Sequence, residues 1–176
     1  VLLTDYYKSV LEKEHANGEW GIASVHYAPR VANMMKRYNL NEVLDYGSGA
    51  GNLEKTLKTI LPDVIVYNYE PGIPKWNIIP APCKMVACID VIEHIEPECI
   101  DSVLDDLERI IEGYAFISIS TTLANRVLNN GWNAHICLKD PQEWKEIFER
   151  RFQIICPGMY DGGVEIEICR RDNENI

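Results

Sequence analysis

From Val43 to Asn52 the chain reads V-L-D-Y-G-S-G-A-G-N, a short apolar run that ends in an acid and turns through three alternating glycines into a helical pattern. Glycines at 47, 49 and 51 remove the Cβ atoms that would keep a ligand off the backbone. They also allow the positive φ of a tight strand-to-helix turn. The helix behind them, with Leu53, Leu57 and Ile60 on one face, directs its first amides at whatever lies over the loop. A strand, a bare turn and a helix N-terminus in that order form the opening unit of an open α/β sheet.

The rest of the chain continues that alternation. Residues 2–16 carry a helical stripe of Leu3, Tyr6, Tyr7, Val10 and Leu11, which leaves His15 as a surface residue. Pro29 is expected to open a second helix with Val31, Met34, Met35 and Tyr38 inward. Val64 to Glu70 reads as a second strand ending in an acid. Four prolines between Pro71 and Pro82 argue against a regular crossover helix, so the next helix and strand are expected to be shortened or lost. Met85 to Asp90 and Tyr114 to Ser120 read as buried strands, with a helix led by Pro97 between them. Asp140-Pro141-Gln142-Glu143 has the order of a helix start. Val164, Ile166 and Ile168 alternate with Glu165 and Glu167, which predicts one wet face for the last strand.

Composition narrows the function classes. A chain of 176 residues is read as one domain, and 27 acids against 17 Lys and Arg give a formal charge of -10. That charge argues against a duplex nucleic-acid footprint, which needs clustered positive charge. No apolar run approaches the ~20 residues of a membrane span, so no membrane partner is expected. Residue 1 is valine, which leaves a segment ahead of it open. The six cysteines show neither C-x-x-C nor a zinc-ligand spacing, so a reduced, cytoplasmic protein is expected.

The glycines fall at 47, 49 and 51, whereas a dinucleotide fingerprint would place its third at 52, where this chain has asparagine. Asp45 precedes the loop, and a carboxylate there suits an adenosine-bearing cofactor that carries an ammonium and a sulfonium better than a pyrophosphate. Glu70 follows Gly51 by 19 positions, close to the ~20-residue offset at which an acid meets ribose hydroxyls. With Cys88-Ile89-Asp90-Val91-Ile92-Glu93-His94-Ile95, similar to a D-V-L-E-H-I segment, the chain resembles the class I S-adenosylmethionine-dependent methyltransferases. The resemblance covers roughly residues 25 to 170, in a small bacterial or phage-type form.

That resemblance implies an α/β fold: a single Rossmann-like domain with a mostly parallel, seven-stranded-type sheet, shortened in its third-strand region, and helices on both faces. Residues 1–40 would form a helical lid, 41–170 the core and 171–176 a tail. S-adenosylmethionine would be held by Asp45, Tyr46, Gly47, Ser48, Gly49, Gly51, Glu70, Pro71, Cys88, Ile89 and Asp90. The implied activity is in-line transfer of its methyl group to an oxygen or nitrogen of a small molecule. The alternatives are a non-catalytic cofactor-binding partner and an enzyme acting on a nucleotide or macromolecule.

His135 and Asp90 are the catalytic candidates, and Tyr27, Trp132, Asn133 and His135 the substrate contacts. The stretch around His135 is similar to a G-R-N-A-H-L-like segment of phage relatives, with Trp132 in place of the arginine. Trp20 and Trp76 are further candidates for walling a planar compound. Asp90, Glu93 and His94 spell D-x-x-E-H, similar to the E-x-x-E-H of quinone-ring O-methyltransferases, which resembles a cation site. The same letters occur in metal-free relatives, and no metal is assigned. Oligomeric state is not readable from the chain.

Overall fold

The computed structural model describes residues 1–16 and 22–171. Trp20 lies outside them. Two helices come first, α1 (Asp5–His15) and α2 (Ala23–Arg37). The chain then alternates through β1 (Glu42–Tyr46), α3 (Asn52–Ile60), β2 (Ile65–Tyr69), β3 (Cys83–Ile89), α4 (Ile100–Ile110) and β4 (Ile111–Ser120). It closes with α5 (Pro141–Arg151), β5 (Gln153–Cys156), β6 (Met159–Tyr160) and β7 (Gly163–Cys169).

The strands form a seven-stranded sheet in the order β2-β1-β3-β4-β7-β5, with β6 on β7. β1 to β4 are parallel, and β7 runs antiparallel to β4, β5 and β6. Between β1 and β2 the chain moves outward, and at β3 it returns to the other side of β1. Strand order therefore reverses between β1 and β3, which opens a crevice at their C-terminal ends.

Period-two alternation splits the core into two layers. Val43, Met85, Ala87 and Phe116 face α2 and α3, where Val31, Met35, Leu53 and Leu57 are buried. Leu44, Val86, Cys88 and Ile117 face α4 and α5, where Leu104, Leu107, Trp144 and Phe148 are buried. Both faces are thus covered, as a parallel sheet requires. The proline-rich stretch after β2 holds one short 3-10 turn, Pro74–Trp76, and no strand. β2 is left at the edge, with Ile65 and Tyr67 about half exposed.

Two expectations are corrected. α2 begins at Ala23, so Pro29 lies inside it and does not open it. An interior proline costs about 3 kcal/mol. Burial of Ala28, Val31, Ala32, Met34 and Met35 offsets that at roughly 1.5–3 kcal/mol for each large side chain. The carboxylate face of β7 is not wet either. Arg30 donates to Glu165 at 2.5 Å, Arg37 donates to Glu167 at 2.6 Å, and Tyr27 donates its hydroxyl to Glu165 at 2.9 Å. Alternation placed the acids correctly, but α2 covers them with cations one turn and more apart.

α1 is clamped at both ends by buried acids. Thr4 caps its N-terminus by accepting from Tyr7 N at 3.1 Å, and Glu96 accepts from both the amide and the hydroxyl of Thr4, at 2.8 and 2.7 Å. At the other end Glu14 accepts from Arg126 at 2.7 Å and from Asn129 N at 2.8 Å. Replacing Glu96 by alanine is expected to loosen α1 by roughly 1.5–3 kcal/mol, the range for hydrogen bonds to a charged group. Hydrogen exchange should then quicken in α1 while β1 and β3 keep their protection. Unchanged exchange in α1 would contradict the clamp. Among the described residues, no helix is long and apolar enough to cross a membrane.

Candidate active site

A cavity of about 440 Å³ lies in the crevice where strand order reverses. One end is the glycine loop. Gly47, Gly49 and Gly51 all have positive φ, and a Cβ on Gly47 would meet Val91 Cγ2 at 2.4 Å. A Cβ on Gly51 would meet Trp76 at 2.7 Å. The loop is held to the next strand by Tyr69, whose carbonyl accepts from Gly47 N at 2.8 Å and Ser48 N at 3.0 Å.

Glu70 stands at the end of β2, buried, and organises this half of the cavity. It accepts from Gly49 N at 3.2 Å and Gly72 N at 3.0 Å. His15 Nε2 lies 3.3 Å from its Oε1. His15 is therefore buried at the cavity wall, against the expectation of a surface residue. The signal was present: His15 sits four positions after Leu11, on the same helical stripe. Sequence reading also missed Leu2, Leu3 and Leu11, which roof the cavity together with His15.

Asp45, one residue before the end of β1, points into the α2–α3 layer behind the loop and does not line the cavity. Its Oδ2 is buried without a hydrogen-bond partner. Burial, then the charges of Glu70 and Glu54, pushes its carboxyl up to about 8. A carboxyl held this way is poised to ionise when a cation arrives nearby.

The other end is polar. Asp90, at φ +50 after β3, accepts from the Ser118 hydroxyl at 2.6 Å. Burial pushes its carboxyl above the usual range. Glu93 is fully buried; one oxygen accepts from Ser120 N at 2.7 Å, and Oε2 has no partner. Burial, then the charge of Asp90, pushes it up to about 8. His94 donates Nδ1–H to the Ala134 carbonyl at 2.7 Å, and His135 donates Nδ1–H to the Thr122 carbonyl at 2.6 Å. The two rings meet edge to face at 4.9 Å. Burial, then the neighbouring His135, pushes His94 down to about 4, so it is neutral at physiological pH.

Of the residues nominated from sequence, Tyr46, Gly47, Gly49, Glu70, Pro71, Ile89, Asp90 and His135 line one cavity. Ser48, Gly51 and Cys88, like Asp45, do not line it. The nominated substrate contacts other than His135 do not line it. Tyr27 is engaged with Glu165 and packs on Phe116. Trp132 packs against Tyr6 and Tyr7 of α1. Asn133 holds its own loop, bonding Ala124 N, Ala124 O and His135 N at 2.8 to 3.0 Å. Trp132 and Asn133 lie on a loop, where alternation cannot be read as it can along a strand, and Tyr27 lies on α2, which begins ahead of the expected Pro29.

No protein-family model and no curated protein matches the sequence. Solved structures match the fold. A Burkholderia thailandensis 1,6-didemethyltoxoflavin-N1-methyltransferase, with its substrate and S-adenosylhomocysteine bound, aligns at a TM-score of 0.65 and 12% identity, over 94% of this chain and 89% of that one. Magnesium protoporphyrin IX methyltransferase from Synechocystis PCC 6803 with bound S-adenosylhomocysteine aligns at 0.59 and 14%, over 85% of this chain and 84% of that one. Mitomycin 7-O-methyltransferase aligns at 0.62 and 12% over 84% of this chain, which spans about half (54%) of that enzyme. With its strand order, glycine turn and crevice, the chain has the fold of the class I S-adenosylmethionine-dependent methyltransferases.

Proposed function

We propose that the protein is an enzyme that transfers the methyl group of S-adenosylmethionine to an oxygen or nitrogen of a small molecule. One observation carries this reading: a single roofed cavity joins a bare glycine loop with a buried acid, Glu70, to a polar end formed by Asp90, His94 and His135. When bound, S-adenosylmethionine supplies an already activated methyl donor. The glycine loop and Glu70 fit it, the first by its missing Cβ atoms and the second as an acceptor for sugar hydroxyls. Asp45, with an oxygen lacking a partner, supplies the negative potential that a sulfonium and an ammonium need.

The chain's own task is then alignment and proton handling. Leu3, Leu11 and His15 cover one side of the cavity, and His135 and Asp90 face the place where an acceptor would lie. An apolar roof of leucines and the formal charge of -10 favour a small, uncharged or planar acceptor over a polyanion. The toxoflavin, porphyrin and mitomycin enzymes that share the fold are named for acceptors of that kind. Incubation with S-adenosylmethionine labelled in its methyl group, against a panel of planar phenols and heterocyclic amines, tests the reading. Label is expected on at least one small compound. Cofactor binding with no transfer to any of them would favour a non-catalytic module.

Asp45 makes the cofactor reading pH-dependent. Its pKa of about 8 in the empty protein lies above the ordinary carboxylate value, so the empty fold favours the protonated form. That contribution to stability is present below about pH 4 and is lost as pH rises toward 8, at about 1.4 kcal/mol per unit. A bound cation lowers the pKa, so binding releases a proton. Affinity for S-adenosylmethionine should therefore rise by up to about tenfold per pH unit below pH 8, and less for S-adenosylhomocysteine, which lacks the sulfonium charge. Calorimetry across that range checks it, and Asp45→Asn should flatten the difference. Equal slopes for both ligands would remove Asp45 from the account.

A further inference from the structure

We propose that Glu93, His94 and His135 form a binding site for a borderline divalent transition ion of the Zn²⁺ or Co²⁺ kind, at the polar end of the cavity. One ligand-capable atom from each of the three lies within 4.8 Å of the others. The tautomers follow from the hydrogen bonds. Carbonyl oxygens can only accept, so Ala134 and Thr122 commit each Nδ1 to carrying the proton. Nε2 is left as the lone-pair atom on both rings. Backbone carbonyls holding the far side of two imidazoles is the outer-shell arrangement that orients metal-bound histidines.

The third member is a fully buried carboxylate with one oxygen, Oε2, lacking a partner. A cation would supply the partner that this oxygen lacks. Its other oxygen is fixed by Ser120 N, and its backbone carbonyl accepts from Cys137 N at 3.0 Å, so strand end and loop are locked together. Asp90 is outside the set, because its carboxylate is drawn to Ser118. Two imidazoles with one carboxylate suit a borderline ion, whereas Mg²⁺ prefers oxygen ligands.

His94 and His135 line the cavity and Glu93 stands behind them, so coordination positions would open toward the acceptor. The role of the ion rests on the methyl-transfer reading, although its binding does not. A hydroxyl on the ion would lose its proton to water or to the Asp90 carboxylate more readily, so that its oxygen could bond the methyl carbon as the carbon–sulfur bond breaks, its electron pair going to sulfur and S-adenosylhomocysteine leaving.

The test needs no cofactor. Protein without a polyhistidine tag, stripped by a chelator, is titrated with Co²⁺ and followed by calorimetry and visible absorption. One equivalent is expected to bind at micromolar or tighter affinity, with d–d bands, no thiolate charge-transfer band, and no competition from Mg²⁺. His135→Ala and Glu93→Gln should each weaken it by at least about tenfold, the size that loss of even an outer-shell partner produces. His135 lies on a partly exposed loop, so its variant serves if Glu93→Gln does not fold. Absence of binding, unchanged affinity in the folded variants, or a thiolate band would overturn the site. Failure to bind S-adenosylhomocysteine in a separate titration would overturn the methyl-transfer reading and leave this one standing.

Discussion

Turnover of a His135→Ala variant is expected to fall by roughly 10²- to 10⁴-fold, the range for loss of a group on the acceptor's proton-transfer path, while affinity for S-adenosylhomocysteine stays nearly unchanged. The separation follows from position. His135 belongs to the loop after β4, lines the end of the cavity away from the glycine turn, bonds Thr122 O and meets the His94 ring edge to face. Its backbone is independently held by Asn133, so truncating the ring leaves the loop path in place. His135→Asn makes a second probe, because its amide keeps a donor near the Nδ1 position and offers nothing at Nε2. It should fold as the parent does and still fail to restore turnover. If either variant instead loses cofactor binding, the loop lies elsewhere than the acceptor end.

A Glu70→Ala variant is expected to bind S-adenosylhomocysteine about 10- to 150-fold more weakly, the equivalent of roughly 1.5–3 kcal/mol for hydrogen bonds to a charged group. Two effects combine. The direct one is loss of the acceptor for sugar hydroxyls. The indirect one is loss of the tie that holds Gly49 N, Gly72 N and His15 around one carboxylate. Thermal unfolding separates them, since only the second lowers the melting temperature of the empty protein. Unchanged affinity in a folded variant would take Glu70 out of the site.

The half of the site built on strands was legible in the sequence, because strand ends and glycine turns leave local marks. Gly47, Glu70 and Asp90 each close or follow an apolar run, and a parallel sheet brings such positions to one edge, whereas Asp45, nominated with them, does not line the cavity. The lost third strand was legible for a similar reason, since four prolines leave no room for a helix between Pro71 and Pro82. What escaped depends on contacts between distant segments. His15 looks like the polar end of a surface helix until α1 folds across the crevice onto Glu70. Glu165 and Glu167 look solvated until Arg30 and Arg37 cover them. Trp132 looks like a pocket wall until Tyr6 and Tyr7 take its faces. In each case the partner lay at least a dozen residues away in sequence.

The most direct test of the central claim is calorimetric titration of the cofactor-stripped protein with S-adenosylhomocysteine, with NAD in parallel. Binding of S-adenosylhomocysteine alone at micromolar or tighter affinity is the result expected from the glycine spacing, Glu70 and the ionisable Asp45 behind the loop. Binding of NAD in its place, or of neither ligand, would contradict it.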